Sequence, residues 1–159
     1  MRNKQATSRQ CFVCGRNNPY GLHLNFYEVG TGELESQVTI PDHFQGYPGV
    51  VHGGIIAAIL DEVTGRVFMQ GNPNRFMVTA KLDLRYRKPV PVGQRLVVRS
   101  HALRDTGRIA QASGSIQSME GEILAEAEAT YVEPPGNLMT GSSPEAWGWQ
   151  VVPDEEEQL

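Results

Sequence analysis

The sequence predicts an α+β domain in which a curved, mainly antiparallel sheet of five to six strands wraps one long central helix. Three observations predict it. The 159 residues are 40% hydrophobic and 20% charged, with a mean hydropathy of −0.35, which suits one domain with its own core and leaves too little chain for two. Residues 53–70 form one long segment with apolar side chains on nearly every side, as a helix enclosed by other elements must have. The other apolar residues alternate with polar ones in short runs broken by Gly, Pro and Asn, the pattern of half-buried strands. A sheet curved around the helix is the economical way to bury it.

Residues 1–10 are polar, carry Arg2, Lys4 and Arg9, and are expected to form a frayed arm. The folded unit is expected over residues 11–132. Leu22-His23-Leu24-Asn25-Phe26 alternates as a strand does, and Glu33 to Ile40 reads as its hairpin partner across Gly30-Thr31-Gly32. Residues 41–51 are a loop rich in Gly, Pro and aromatics. The helix then runs from Gly53 to about Gln70, where Gly71-Asn72-Pro73-Asn74 stops it. In the next strand Val78, Ala80, Leu82, Leu84 and Tyr86 share one face. Thr79, Lys81, Asp83, Arg85 and Arg87 share the other, and Pro89 and Pro91 end the strand. Two further strands, 94–104 and 108–118, flank the turn Asp105-Thr106-Gly107. After Met119-Glu120-Gly121-Glu122 a last strand runs to Val132, with Ile123, Ala125, Ala127, Ala129 and Tyr131 facing one way. Residues 133–159 open on Glu133-Pro134-Pro135-Gly136 and end in acids, as a solvated, partly disordered tail would. They also hold both tryptophans, Trp147 and Trp149, so a docking segment stands as an equal reading.

The net charge of −4 argues against a nucleic-acid partner. Residues 133–159 contain six acids and no Lys or Arg, which leaves the rest of the chain at a net of +2. That body has positive charge to offer an anionic ligand. No apolar run reaches the ~20 residues of a membrane span. The first ten residues lack the apolar stretch of a secretory signal, so a cytoplasmic chain with reduced thiols is expected.

The densest chemical signal is His52-Gly53-Gly54-Ile55-Ile56-Ala57-Ala58-Ile59-Leu60-Asp61-Glu62. The helix begins without a Ser, Thr, Asp or Asn cap, so the amides of Gly53 and Gly54 are read as bare donors at the positive end of a helix dipole. Such donors suit a carbonyl oxygen gaining negative charge. The alternative is that Gly merely caps the helix and lets it approach the sheet. Of the two adjacent acids, Glu62 has Arg66 one turn ahead, in the favourable order for an ion pair. Asp61 has Ala57, Ala58, Thr64 and Gly65 around it and no base on its own helix face. A carboxylate so placed is a candidate general base or nucleophile. It is equally readable as an acid that reaches solvent or pairs with an arginine of another subunit. Arg85, Arg87 and Lys88 cluster at one strand end, and Arg104 and Arg108 flank a hairpin. They are candidate phosphate ligands, against the alternative of a solvated basic face. Cys11 and Cys14 form a CxxC, half of a zinc site. Two more ligands would have to come from His23, His43 or a second subunit, so the pair is read as structural thiols and no metal is expected.

With those residues in place the chain resembles the hotdog-fold acyl-CoA thioesterases, of the PaaI-like and 4-hydroxybenzoyl-CoA thioesterase type. HGG with an acid nine residues after the His, and Val78-Thr79-Ala80-Lys81-Leu82-Asp83-Leu84-Arg85-Tyr86-Arg87-Lys88-Pro89-Val90, carry the resemblance. Cys11-Phe12-Val13-Cys14-Gly15 and Asn18-Pro19-Tyr20-Gly21-Leu22 resemble a subgroup of the same superfamily. The resemblance implies hydrolysis of acyl-CoA or aroyl-CoA thioesters. Asp61 would activate water or attack the thioester carbon, the Gly53 amide would polarise the carbonyl, and Thr79, on the polar face of its strand, would position water. It further implies His52, Gly54 and Gln45 around the thioester, although the Gln45–Gly49 loop is slightly longer than in PaaI proper, where an Asn stands. It implies a homodimer, often a dimer of dimers, with sites at the subunit interface and no cofactor beyond the CoA of the substrate. The superfamily also holds non-catalytic acyl-CoA binders and hydratases, which stand as alternatives. A positioned base supplies about 10²–10⁴ in rate and an oxyanion donor about 10²–10³, which for a reactive thioester is a sufficient pair.

Overall fold

Alternating strands and one apolar helix assemble as their periodicities demand. The computed structural model describes residues 2–136, 138 and 141–154. Seven strands, β1 (Asn3–Lys4), β2 (Tyr27–Gly30), β3 (Glu33–Thr39), β4 (Val78–Tyr86), β5 (Arg95–Asp105), β6 (Ile109–Ser118) and β7 (Ile123–Val132), make one antiparallel sheet in the order β1-β2-β3-β5-β6-β7-β4. The helix α1 (Gly53–Arg66) ends in a short 3-10 turn at Val67–Met69 and lies across the sheet. Ile56, Ile59, Leu60 and Val63 of α1 are buried against Leu34, Leu96, Val98, Ile116 and Tyr131. Each such side chain contributes about 1.5–3 kcal/mol on burial. Small residues beneath the helix set the spacing. A Cβ on Gly114 would sit 2.7 Å from Thr64 Cγ2, so any larger residue there pushes the helix off the sheet.

The structure corrects the expected elements in four places. The first strand lies at 27–30, not 22–26. Leu22, Leu24 and Phe26 do point into the core, but His23 adopts φ +54°. The amides of Leu22 and Leu24 donate to Phe12 and Val13 carbonyls (2.8 Å each) instead of to a strand. The polar arm is not frayed. Asn3–Lys4 pair with β2 and add a seventh strand to the five or six expected, while Gln5, Ala6 and Thr7 are buried. The tryptophan segment docks. Trp147 and Trp149 each approach the Phe76 ring with centroids 5.3 Å away, and Thr7 and Gln150 exchange both backbone bonds. Residues 155–159, with the acids Glu155, Glu156 and Glu157, lie outside the described residues. The helix stops at Arg66, with the remaining turn tightened to 3-10 geometry. Among the described residues no helix is long and apolar enough to cross a membrane.

Candidate active site

The helix start is capped, by a residue outside the usual set. His52 is the N-cap, and its Nδ1 accepts the Gly54 amide at 2.9 Å. The amides of Ile55 and Ile56 donate to the His52 carbonyl. The expected pair of bare amides is therefore corrected to one. Gly54 serves the cap, and the Gly53 N–H alone in this first turn has no acceptor among the described residues. The Tyr86 hydroxyl donates to the Gly53 carbonyl at 2.9 Å, which lays the tyrosine ring beside this amide.

Two turns further on, half-buried Asp61 has no basic partner among the described residues. Neutral hydroxyls hold it instead. Thr79 Oγ1 donates to Asp61 Oδ1 at 2.7 Å. The Tyr131 hydroxyl lies 3.0 Å from the same oxygen and 2.6 Å from the Asp61 carbonyl. Thr64 Oγ1, which donates to the Leu60 carbonyl, sits 2.6 Å from the Tyr131 oxygen. Oδ1 is thus occupied, while Oδ2 has no hydrogen bond among the described residues. Burial above all, with the Asp61 charge adding to it, pushes the Tyr131 phenol well above its usual range, so it remains an O–H donor. Sequence reasoning placed Tyr131 only as an apolar inward residue. Its signal was a lone hydroxyl among alanines on a buried face, where a tyrosine seeks a polar partner.

Thr79 reaches Asp61 through a departure from strict alternation. The β4–β7 register slips between Thr79 and Lys81, which makes Ala80 an extra residue in β4. Such a bulge turns the preceding side chain to the other face. Thr79 consequently shares the helix side with Leu82, Leu84 and Tyr86, not the polar face expected for it.

Asp61 and Gly53 are eight residues apart on one helix, a rise of about 12 Å. One carbonyl cannot touch both in the same chain. Both lie beside β4, which is the outermost strand of the sheet and so presents unpaired backbone groups along its free side.

The other expected site residues do not converge on Asp61. Gln45 Oε1 accepts the Gly49 amide at 3.0 Å and closes its own loop; the adjoining Gly46 packs on His52. Arg85 and Arg87 alternate with Leu84 and Tyr86 and therefore project from the outer face of β4. Arg87 is paired with Glu126 at 2.5 Å and Lys88 with Glu122 at 2.8 Å. Arg85 and Arg108 have no ion pair among the described residues and are exposed.

On the opposite flank of α1, Arg66 is almost fully buried. Its Nε donates to Glu62 Oε1 (2.8 Å), Nη1 to the Ala6 carbonyl (2.8 Å) and Nη2 to Cys14 Sγ (2.8 Å). Burial opposes the charge, but Glu62 and the nearby thiols raise the Arg66 pKa on balance. The Cys11 thiol is lowered to about 7, chiefly by its hydrogen bond with Cys14, and the Cys14 thiol is raised by the same bond and by burial.

A model of the thioesterase superfamily matches residues 48–132, which takes in α1, β4 and every strand after it. The chain belongs to the thioesterase superfamily. It is 38% identical over 92 residues to the acyl-coenzyme A thioesterase THEM4 of Mus musculus, a match that covers 57% of this chain and 39% of that protein. Among solved structures it superposes on the thioesterase superfamily protein RHA08564 with a TM-score of 0.72 and 29% identity, over 78% of this chain and 63% of the other. It also superposes on smu.793 from Streptococcus mutans UA159, solved bound to acetyl CoA. There the TM-score is 0.62 at 19% identity, over 70% of this chain and 88% of that one, a likeness of fold. The chain spans well under half the length of the THEM4 relatives from mouse, rat and frog. The α+β hotdog architecture expected from the sequence is the architecture found.

Proposed function

We propose that the protein hydrolyses acyl-CoA or aroyl-CoA thioesters to the free acid and CoA. The observation that carries this reading is Asp61, a carboxylate with no cation partner among the described residues, one oxygen fixed by two hydroxyls and the other free. In the base form of the reaction Oδ2 takes a proton from water as its oxygen bonds to the thioester carbon. The carbonyl oxygen, now negative, accepts the Gly53 amide. The tetrahedral species then collapses, the carbon–sulfur bond breaks, and the CoA thiolate takes the proton from Asp61. In the nucleophile form Oδ2 itself bonds to the carbon, and water cleaves the resulting anhydride. In single turnover in heavy-oxygen water, label found on Asp61 establishes the second form, since water that cleaves the anhydride at the aspartyl carbon leaves its oxygen there and the base form never does. A thioester is reactive enough for a carboxylate and an amide to suffice, with no cofactor beyond the substrate's own CoA.

The separation of about 12 Å along α1 supports a site shared between two copies. Asp61 of one protomer would act with the partner subunit's Gly53, in a homodimer that forms along β4 or in a dimer of such dimers. His52 would then act by holding the helix start. Arg85, Arg104 and Arg108, exposed and without an ion pair among the described residues, are the candidates for CoA phosphates, and Arg87 and Lys88 would have to leave their glutamates to join them. A reducing, cytoplasmic setting, in which Cys11 and Cys14 stay thiols, belongs to the same reading. The test is a panel of acyl- and aroyl-CoA esters assayed by release of free thiol. Turnover that Asp61→Asn abolishes supports the reading. Binding without thiol release, or hydration of an enoyl-CoA instead, overturns it.

A further inference from the structure

We propose that Cys11, Cys14 and Glu62 form a structural site for a divalent cation of the zinc class, on the flank of α1 opposite Asp61. The sequence supplied only the two thiols. The fold supplies the third donor. The Sγ atoms of Cys11 and Cys14 and a carboxylate oxygen of Glu62 all lie within 4.8 Å of one another, and Cys11 Sγ is 3.9 Å from both Glu62 oxygens. Zinc bound tetrahedrally to two sulfurs and one oxygen spaces those donors at about 3.6–3.8 Å, so a contraction of at most about 1.2 Å brings all three to bonding distance. The histidines first considered are engaged elsewhere, His23 with the Asn18 carbonyl and His43 against Phe44.

The turn that carries the sulfurs is built to aim them. Cys14 N–H points at Cys11 Sγ (3.4 Å) and Gly15 N–H donates to the Cys11 carbonyl (2.8 Å). A Cβ on residue 15 would lie 2.3 Å from that carbonyl oxygen, so only glycine permits the closure. Charge also balances. Arg66 offers donors alone, and it meets Cys14 Sγ and Glu62 Oε1 with them. A dication together with this guanidinium offsets two thiolates and one carboxylate, so the buried cluster is neutral when filled. Arg66 then plays the outer partner that orients metal ligands. A water on the side of half-buried Cys11 would have to supply the fourth ligand of a tetrahedral ion. The ion would tie residues 11–14 to α1 one residue beyond Asp61, and its effect is on stability, separate from the hydrolysis proposed above.

The test uses the full chain purified without chelator. The expected results are one equivalent of zinc per chain, a lower Tm after chelation, and, on titrating the stripped chain with cobalt(II), thiolate-to-metal absorption with the intense visible bands of a tetrahedral ion. Cys11→Ser, at the half-buried sulfur, should weaken cobalt binding beyond the roughly 10–100-fold cost of losing an outer partner, while circular dichroism reports an unchanged fold. The proposal fails if the reduced wild-type chain shows no thiolate–cobalt band, if Cys11→Ser binds as tightly as wild type, or if the chain holds an intramolecular disulfide and takes up no cobalt after reduction. None of these readouts requires thioester turnover.

Discussion

Asp61 and Glu62 are neighbours in sequence and opposites in environment. The helix turns about 100° between them, which sends Asp61 toward β4 and β7 and Glu62 toward the N-terminal segment. Glu62 meets a buried guanidinium, and Arg66 fixes it as part of a charge-balanced cluster. Asp61 meets only hydroxyls, from Thr79 and Tyr131. Hydroxyls orient a carboxylate without neutralising it, which is the state the proposed reaction needs. An ion pair stabilises the fold by consuming the charge. The same residue chemistry is ion-paired on one flank and unpaired, among the described residues, on the other because of what the fold brings up to it, and the proposed reaction uses the unpaired one.

The comparison breaks most sharply at Asp61. Asp61→Asn keeps an acceptor for Thr79 and Tyr131, so Tm should hold while kcat for thioester hydrolysis falls by about 10²–10⁴. Gly53→Pro should follow, at about 10²–10³ in kcat. Proline is at home at the first helical position, and His52 already has φ −58° and ψ 136°, the conformation required before a proline. The helix should survive while its free amide is lost, and Gly53→Ala, which meets Tyr86 only at an ordinary 3.4 Å, should retain activity. Glu62→Gln should invert the pattern. Leaving Arg66 short of its counter-charge should cost roughly 1.5–3 kcal/mol in denaturant unfolding, with kcat of the folded protein unchanged. Tyr131→Phe should be mildest, removing one hydrogen bond worth about 1 kcal/mol and lowering kcat roughly fivefold with KM unchanged.

Much of this was legible in the sequence, and what was not has physical reasons. Period and turn residues place β3, β4 to β7 and the start of α1 within a residue or two, because burial on one face imposes them, while the end of α1 falls four residues short of the expected one. They cannot show Ala80 as an inserted residue, since a bulge leaves the composition of a strand unaltered, and so Thr79 was assigned to the wrong face. The His52 cap was missed because histidine is not among the usual capping residues. The strap at residues 3–7 was missed because its partners, Glu28, Arg66 and Gln150, are distant in sequence. Asp61 and Gly53 stood out in the sequence as candidates, and the resemblance already implied a site shared between subunits. The structure adds the surroundings of each, the hydroxyls of Thr79 and Tyr131 around Asp61 and the His52 cap beside Gly53.

The most direct test of the shared site is complementation between two inactive chains. Co-expressed Asp61→Asn and Gly53→Pro chains form mixed dimers in which one site carries both substitutions and the other carries neither. With random pairing of an isologous dimer, about a quarter of wild-type thioester hydrolysis should return. A mixture no more active than the two variants assayed separately would contradict the account.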